Sequence, residues 1–353
     1  MRTTRRPSRP LLALLGAVVI AGLVAACSAP DETDEVGPQV APEAGALPVT
    51  LEQVYAPVTV ENGTARIAAM GVGDADTLLA LGIKPTAIAT FGDPKQTTSP
   101  WNAELIGDSS PTYLPTVSSD FGTAIDTTLA TDPGLITAIG ADPSREQFNS
   151  LRKVAPTVLR PAQFSAWQVP WEAQATQVGK AVGLPKATAA KIAETNALLA
   201  GIRRDHPQFA GKTAVVVTGA PDGTVSIYSG GDGRGQTLAG YGFTFPPALQ
   251  PALTNGFYGS LSAERLDLLD SADLVVAVDW QGSNDQLRRN AAFTSLDVVR
   301  SGRVAYLDQE VGTAMSVPTV LTIPWVAGKA LDPITAAVLS LIHISEPTRL
   351  GMI

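Results

Sequence analysis

The chain has 353 residues, 45% hydrophobic and 16% charged, with one Cys and two His. This composition excludes a disulfide scaffold, a multi-thiolate zinc or iron–sulfur centre, a histidine-rich metal site and a disordered chain, and leaves room for two or three domains of about 100–200 residues. The net charge of −8 argues against nucleic acid as a partner, because that calls for a basic footprint.

Residues 1–26 read as a lipoprotein signal peptide. Arg2, Arg5, Arg6 and Arg9 precede an apolar run from Leu11 to Ala26 that is short for a membrane span. The run closes on Leu23-Val24-Ala25-Ala26-Cys27, similar to the bacterial lipobox, so Cys27 is expected to carry lipid such as palmitate and to be the chain's contact with the membrane. Removing the four arginines moves the net charge from −8 to −12. Residues 27–50, rich in Ser, Ala, Pro, Gly and acidic residues, predict a disordered tether.

From residue 51 short apolar runs alternate with helical stretches. Strands are predicted at Arg66–Met70, Ala87–Thr90 and Gly134–Ile139, with helices at Asp74–Leu81 and Asp126–Thr131. This alternation implies a parallel sheet. A helical region follows from Trp171 to His206, interrupted at Leu184-Pro185. Its second part, with Ile192, Leu198, Leu199 and Ile202 on one stripe, would span about 33 Å. A second α/β set follows: strand Thr213–Thr218, its hairpin partner Val225–Tyr228, a short element at Gln236–Gly240, helix Ala263–Leu269, strand Asp273–Val278, helix Asn284–Phe293 and strand Arg303–Leu307. The expected organisation is an N-terminal lobe at 51–170, a connecting helix at 171–210 and a C-terminal lobe at 211–338. Leu339–Arg349 resembles the translation of a transposase adapter used in sequencing libraries, so 339–353 are expected to lie outside the fold.

Catalytic motifs are weak. Gly71-x-Gly73-x-x-Asp76 lacks the third glycine of a dinucleotide fingerprint and reads as a tight strand-to-helix turn. Gly107-Asp108-Ser109 resembles an esterase nucleophile block, but only His206 offers a base for Ser109. The run Gly230–Gly235 lacks the Lys-Ser/Thr of a phosphate cradle and reads as a pocket-edge loop. An enzyme is therefore not expected.

Several segments together carry a resemblance: Thr77–Pro85, Asp132-Pro133-Gly134-Leu135-Ile136, Val154-Ala155-Pro156-Thr157-Val158, Leu261–Leu266 before Asp273–Val276, and Val299–Tyr306. With the lipobox and the bilobal pattern, they resemble the substrate-binding lipoproteins of ABC importers for ferric siderophores, related to vitamin B12 and haem binders. The resemblance implies an α/β fold of two Rossmann-like lobes joined by a single long crossover helix. It also implies a monomer on the extracytoplasmic face of the cell membrane that passes a ferric siderophore to a permease dimer. No cofactor or protein metal ligand is implied, since the siderophore saturates the iron. Asp126 and Glu264 take the positions of the acidic residues that dock on the permease, Asp126 standing where Glu is usual. The cleft should lie at the carboxyl ends of the strands, with Trp101, Arg145, Trp167, Arg234, Tyr241, Tyr258 and Trp280 as candidate ligand contacts. A corrinoid or haem cargo, and a lipid-anchored serine hydrolase using Ser109, are the alternative readings.

Overall fold

The computed structural model describes residues 37–90, 99–115, 120–254 and 256–345. Cys27, the signal segment and the first part of the expected tether lie outside the described residues. Residues 37–50, expected as part of the tether, instead pack on the first lobe. The Gln39 amide donates to the Ala65 and Lys84 carbonyls, both at 2.8 Å, and accepts from Lys84 N–H at 2.9 Å. β1 (Val49–Leu51) then pairs antiparallel with β2 (Val58–Val60). These side-chain and strand hydrogen bonds, invisible in a polar composition, dock residues 37–50 on the first lobe.

The first lobe holds β3 (Ile67–Ala69), β4 (Ala87–Ala89), β5 (Thr112–Leu114), β6 (Leu135–Ala138) and β7 (Thr157–Leu159), all parallel in the order β5-β4-β3-β6-β7. Alternate residues feed opposite faces, as the strand period requires. Ile67, Ala69, Ile88 and Leu135 pack into one core layer, and Ala68, Ala87, Ile136 and Ala138 into the other. Covering both faces explains why the strands read as continuous apolar runs. The covering helices are α1 (Asp74–Ala80), α2 (Ala103–Ile106), α3 (Phe121–Ala130), α4 (Arg145–Leu151) and α5 (Trp171–Ala181).

Gly183 (φ 72°) ends α5, and Pro185 opens α6 (Pro185–Asp205), the single helix that crosses between lobes. Glu43 holds its start, its two carboxylate oxygens accepting from Lys186 and Ala187 N–H at 3.0 and 2.8 Å. Leu199 and Ile202 are buried along α6, Ile192 packs against the same core, and Leu198 stands exposed. It lies one residue, or about 100°, off the 192–199 stripe.

The second lobe is built from β8 (Ala214–Gly219), β9 (Val225–Tyr228), α7 (Gly233–Tyr241), β10 (Leu253–Thr254), β11 (Tyr258–Leu261), β12 (Leu274–Val278), α8 (Ser283–Arg289), α9 (Ala291–Thr294), α10 (Asp297–Arg300), β13 (Val304–Leu307), α11 (Gln309–Ser316) and α12 (Thr322–Ser345). Its sheet runs β10-β11-β9-β8-β12-β13. β8, β12 and β13 are parallel, and β9, β11 and β10 form an antiparallel extension. Three local outcomes differ from the sequence reading. Ala263–Ser271 is a 3₁₀ helix, burying Leu266 and Leu269 at the three-residue spacing that suits it. The helix expected at Asn284–Phe293 breaks at Asn290, whose side chain caps α9 by accepting from Ala292 and Phe293 N–H. And α12 continues past Val338 to Ser345.

Candidate ligand cleft

In the first lobe the strand order reverses between β3 and β6, and the segments leaving these strands form one side of a cavity between the lobes. Val72 N–H donates to the Gly140 carbonyl at 2.9 Å, bringing the two turns together. An open α/β sheet places its crevice at such a reversal. Gly140 permits the approach: a Cβ there would meet the Val72 carbonyl oxygen at 2.0 Å. The second lobe faces this floor with the end of β9, the start of α7, the turn entering β11 and the segment 316–318. Gly233 packs so closely that an added Cβ would meet the Ser316 carbonyl oxygen at 2.1 Å.

The cavity measures about 420 Å³, and Trp167, Tyr228, Phe257 and Tyr258 line it with Val72, Val169 and Pro318. Trp167 has left-handed backbone (φ 63°), a conformation costing a non-glycine residue about 1–3 kcal/mol and met mostly where function holds it. Arg234, in the first turn of α7, lays its guanidinium 4.1 Å from the Tyr228 ring centroid and bonds Asp232, the α7 N-cap. Its Nε–H is buried without an acceptor. Burial pushes the Asp232 carboxyl above its ordinary range against the opposing pull of Arg234. The Gln236 amide reaches across to the Val169 carbonyl at 3.4 Å.

Beside the cavity lies a recess of about 50 Å³ bordered by Asp76 and Trp101. Buried Asp76 accepts from Trp101 Nε1 at 3.1 Å, Asn102 Nδ2 at 2.9 Å and Thr319 Oγ1 at 2.8 Å. The last bond joins the lobes. Asp74, equally buried, accepts from Ile139 N–H at 2.9 Å and Gln174 Nε2 at 2.7 Å. Desolvation pushes both carboxyls up to about 6, outweighing their hydrogen bonds.

Of the residues singled out in the sequence, Trp167, Arg234 and Tyr258 meet in the cavity wall. Trp101 is diverted to Asp76, its ring edge-on to Trp325 at 5.6 Å. Arg145 begins α4 and covers the Tyr55 ring at 4.8 Å. Tyr241 is fully buried in the second-lobe core with its hydroxyl unpartnered. Trp280 stands exposed past the end of β12, outside the cavity lining. Asp126 on α3 and Glu264 in the 3₁₀ helix are exposed, one on each lobe. Ser109 donates to the Ile106 carbonyl at 2.6 Å, whereas His206 stacks on Phe209 at 4.9 Å, so the two have separate partners. The Gly230–Gly235 run is partly helical, because Asp232 caps α7 from within it. Sequence reasoning passed over Tyr228 and Phe257. Tyr228 closes a predicted strand, where cleft residues gather, and Phe257 precedes Tyr258 after a glycine.

The chain matches the model of a family described as periplasmic binding protein over residues 67–311. Among curated proteins none matches. Several solved structures share the fold. Streptococcus pneumoniae TIGR4 PiaA in complex with ferrichrome matches at TM-score 0.72 and 22% identity, covering 83% of this chain and 99% of that one. A periplasmic solute binding protein from Mycobacterium smegmatis matches at TM-score 0.71 and 24% identity, covering 82% and 98%. Staphylococcus aureus SirA complexed with staphyloferrin B matches at TM-score 0.62 and 18% identity, covering 79% and 96%.

Proposed function

The chain belongs to the periplasmic binding protein family, a family of solute binders and not of enzymes, and on that footing we propose that it captures a ferric siderophore outside the cell and delivers it to an ABC permease. The observation that carries this reading is the cleft wall: four aromatic residues line it, and the ring of one, Tyr228, carries the Arg234 guanidinium. A siderophore that saturates its iron presents partly apolar arms and a few polarised oxygens. Aromatic faces suit the arms, and the exposed edge of the guanidinium suits an oxygen. The cavity of about 420 Å³ falls in the range of small-molecule sites, roughly 300–1,000 Å³.

Delivery rests on Asp126 and Glu264, exposed carboxylates on separate lobes, which would meet basic residues of the permease. Cys27 would carry lipid and hold the protein at the membrane's outer face as a monomer. Replacing it, Cys27→Ser, is expected to move the protein from the membrane fraction to the soluble one. Trp167 supplies the optical readout for cargo. Titration with a panel of ferric siderophores is expected to quench tryptophan fluorescence at micromolar concentration; absence of quenching by every member would overturn the proposal.

A further inference from the structure

Among the described residues of the cavity lining, one carboxylate and one guanidinium are present, and they are bonded to each other. Asp232 Oδ1 accepts from Arg234 N–H at 2.9 Å and from Arg234 Nη1 at 3.1 Å, while Oδ2 accepts the same Nη1 at 3.2 Å. The side chains are only 4% and 14% exposed, so water screens the pair poorly and its charges cancel inside the wall. An incoming ligand meets an ion-paired dipole and an aromatic platform, but no net charge from the side chains of the lining.

Resting on the siderophore reading above, we infer that Asp232 is the specificity-determining residue of the cleft: by neutralising Arg234 within the wall, it selects an electroneutral ferric chelate of the tris-hydroxamate class over an anionic one. Each hydroxamate carries a single negative charge, so a tris-hydroxamate cancels Fe(III), whereas a tris-catecholate leaves a trianion. The neutral chelate loses little hydration on entering apolar walls, and its coordinated or amide oxygens suit the exposed edge of the Arg234 guanidinium. The trianion must shed its water against a wall without compensating positive charge, and with the Asp232 carboxylate beside the one available cation. Arg234 without Asp232 would invite anions; with it, the cleft discriminates against them.

Asp232→Asn is nearly isosteric and keeps an N-cap acceptor for α7, and Asp232→Ser keeps a capping hydroxyl in case the first variant folds poorly. Fluorescence titrations would compare an iron-loaded tris-hydroxamate with a ferric tris-catecholate on the wild-type protein and both variants. The wild type is expected to favour the hydroxamate by about tenfold or more, and either variant to lose about tenfold of that preference through tighter catecholate binding. Arg234→Gln is expected to weaken hydroxamate binding without creating a catecholate preference. A wild-type preference for the catecholate overturns the inference and leaves the siderophore reading intact. An unchanged ratio in both folded variants removes Asp232 from the role. Failure of both chelates to bind the wild type overturns the inference, and the siderophore reading falls with it only if every other member of the panel also fails to bind.

Discussion

The two buried carboxyls on α1 make the stability of this protein depend on pH in a direction opposite to that of an ordinary ion-paired aspartate. Asp74 and Asp76 titrate near 6 when folded, against 3.8 for an unperturbed aspartate. The native state therefore binds protons more tightly than the unfolded chain. Their stabilising contribution is fully present below 3.8 and is lost as pH rises through 6. Between about pH 7.5 and about pH 5 each carboxyl should add about 1.4 kcal/mol, close to a tenfold change in the folding equilibrium. Asp76→Asn isolates one share. Asp76 receives three donors, and the Thr319 hydroxyl among them already accepts from Leu321 and Thr322 N–H. An asparagine no longer titrates; its carbonyl can keep the Trp101 and Thr319 donors while its NH2 meets the Asn102 amide, a pH-independent loss that leaves the pH dependence of the gap as the readout. Urea unfolding across this pH interval is the assay. The gap in unfolding free energy between wild type and Asp76→Asn should shift by about 1.4 kcal/mol, the wild type gaining relative stability as the solution is acidified. Parallel pH profiles for the two proteins would refute the assignment.

Tyr241→Phe is expected to be neutral or to stabilise by about 1 kcal/mol in thermal unfolding, because it removes a buried hydroxyl with no partner. Gly233→Ala should do the reverse: its Cβ would meet the Ser316 carbonyl, so a loss of at least about 2 kcal/mol and weaker cargo binding are expected by calorimetry and fluorescence. Glu264→Lys, at an exposed site, should leave melting within about 0.5 kcal/mol of wild type while sharply reducing permease-dependent iron uptake in cells.

The central strands were legible because their environment is uniform. β3, β6 and β12 are buried on both faces, so their apolar runs needed no knowledge of neighbours. β10 and β11 were not legible, since two residues of one strand and a glycine in the other acquire strand character only by pairing beside β9. The cleft was read in part for a geometric reason. Arg234 and Tyr241 are seven residues apart on α7 and so share a face, but about 10 Å along the axis separates the cleft end of that helix from its core end. A helical face can be read from sequence; depth along the helix depends on what packs at each end. Trp101 and Asp76 show the same limit. The recess that draws an indole to a carboxylate exists only once α12 arrives from the far end of the chain and brings Thr319.

The closeness of backbone at Gly140 and Gly233 bears on how this cleft can change over evolutionary time. Part of its floor is main chain already in contact with main chain, with the space a side chain would take filled by the Val72 and Ser316 carbonyls. Single substitutions at those two glycines therefore cannot enlarge or recharge the site without moving the backbone at the exit of β6 or at the start of α7. Lineages that acquire a new cargo should vary first at the rim, at Trp167, Tyr258 and the Asp232–Arg234 pair, while the glycines persist. A designer seeking a different ligand inherits the same division between a fixed base and an editable wall.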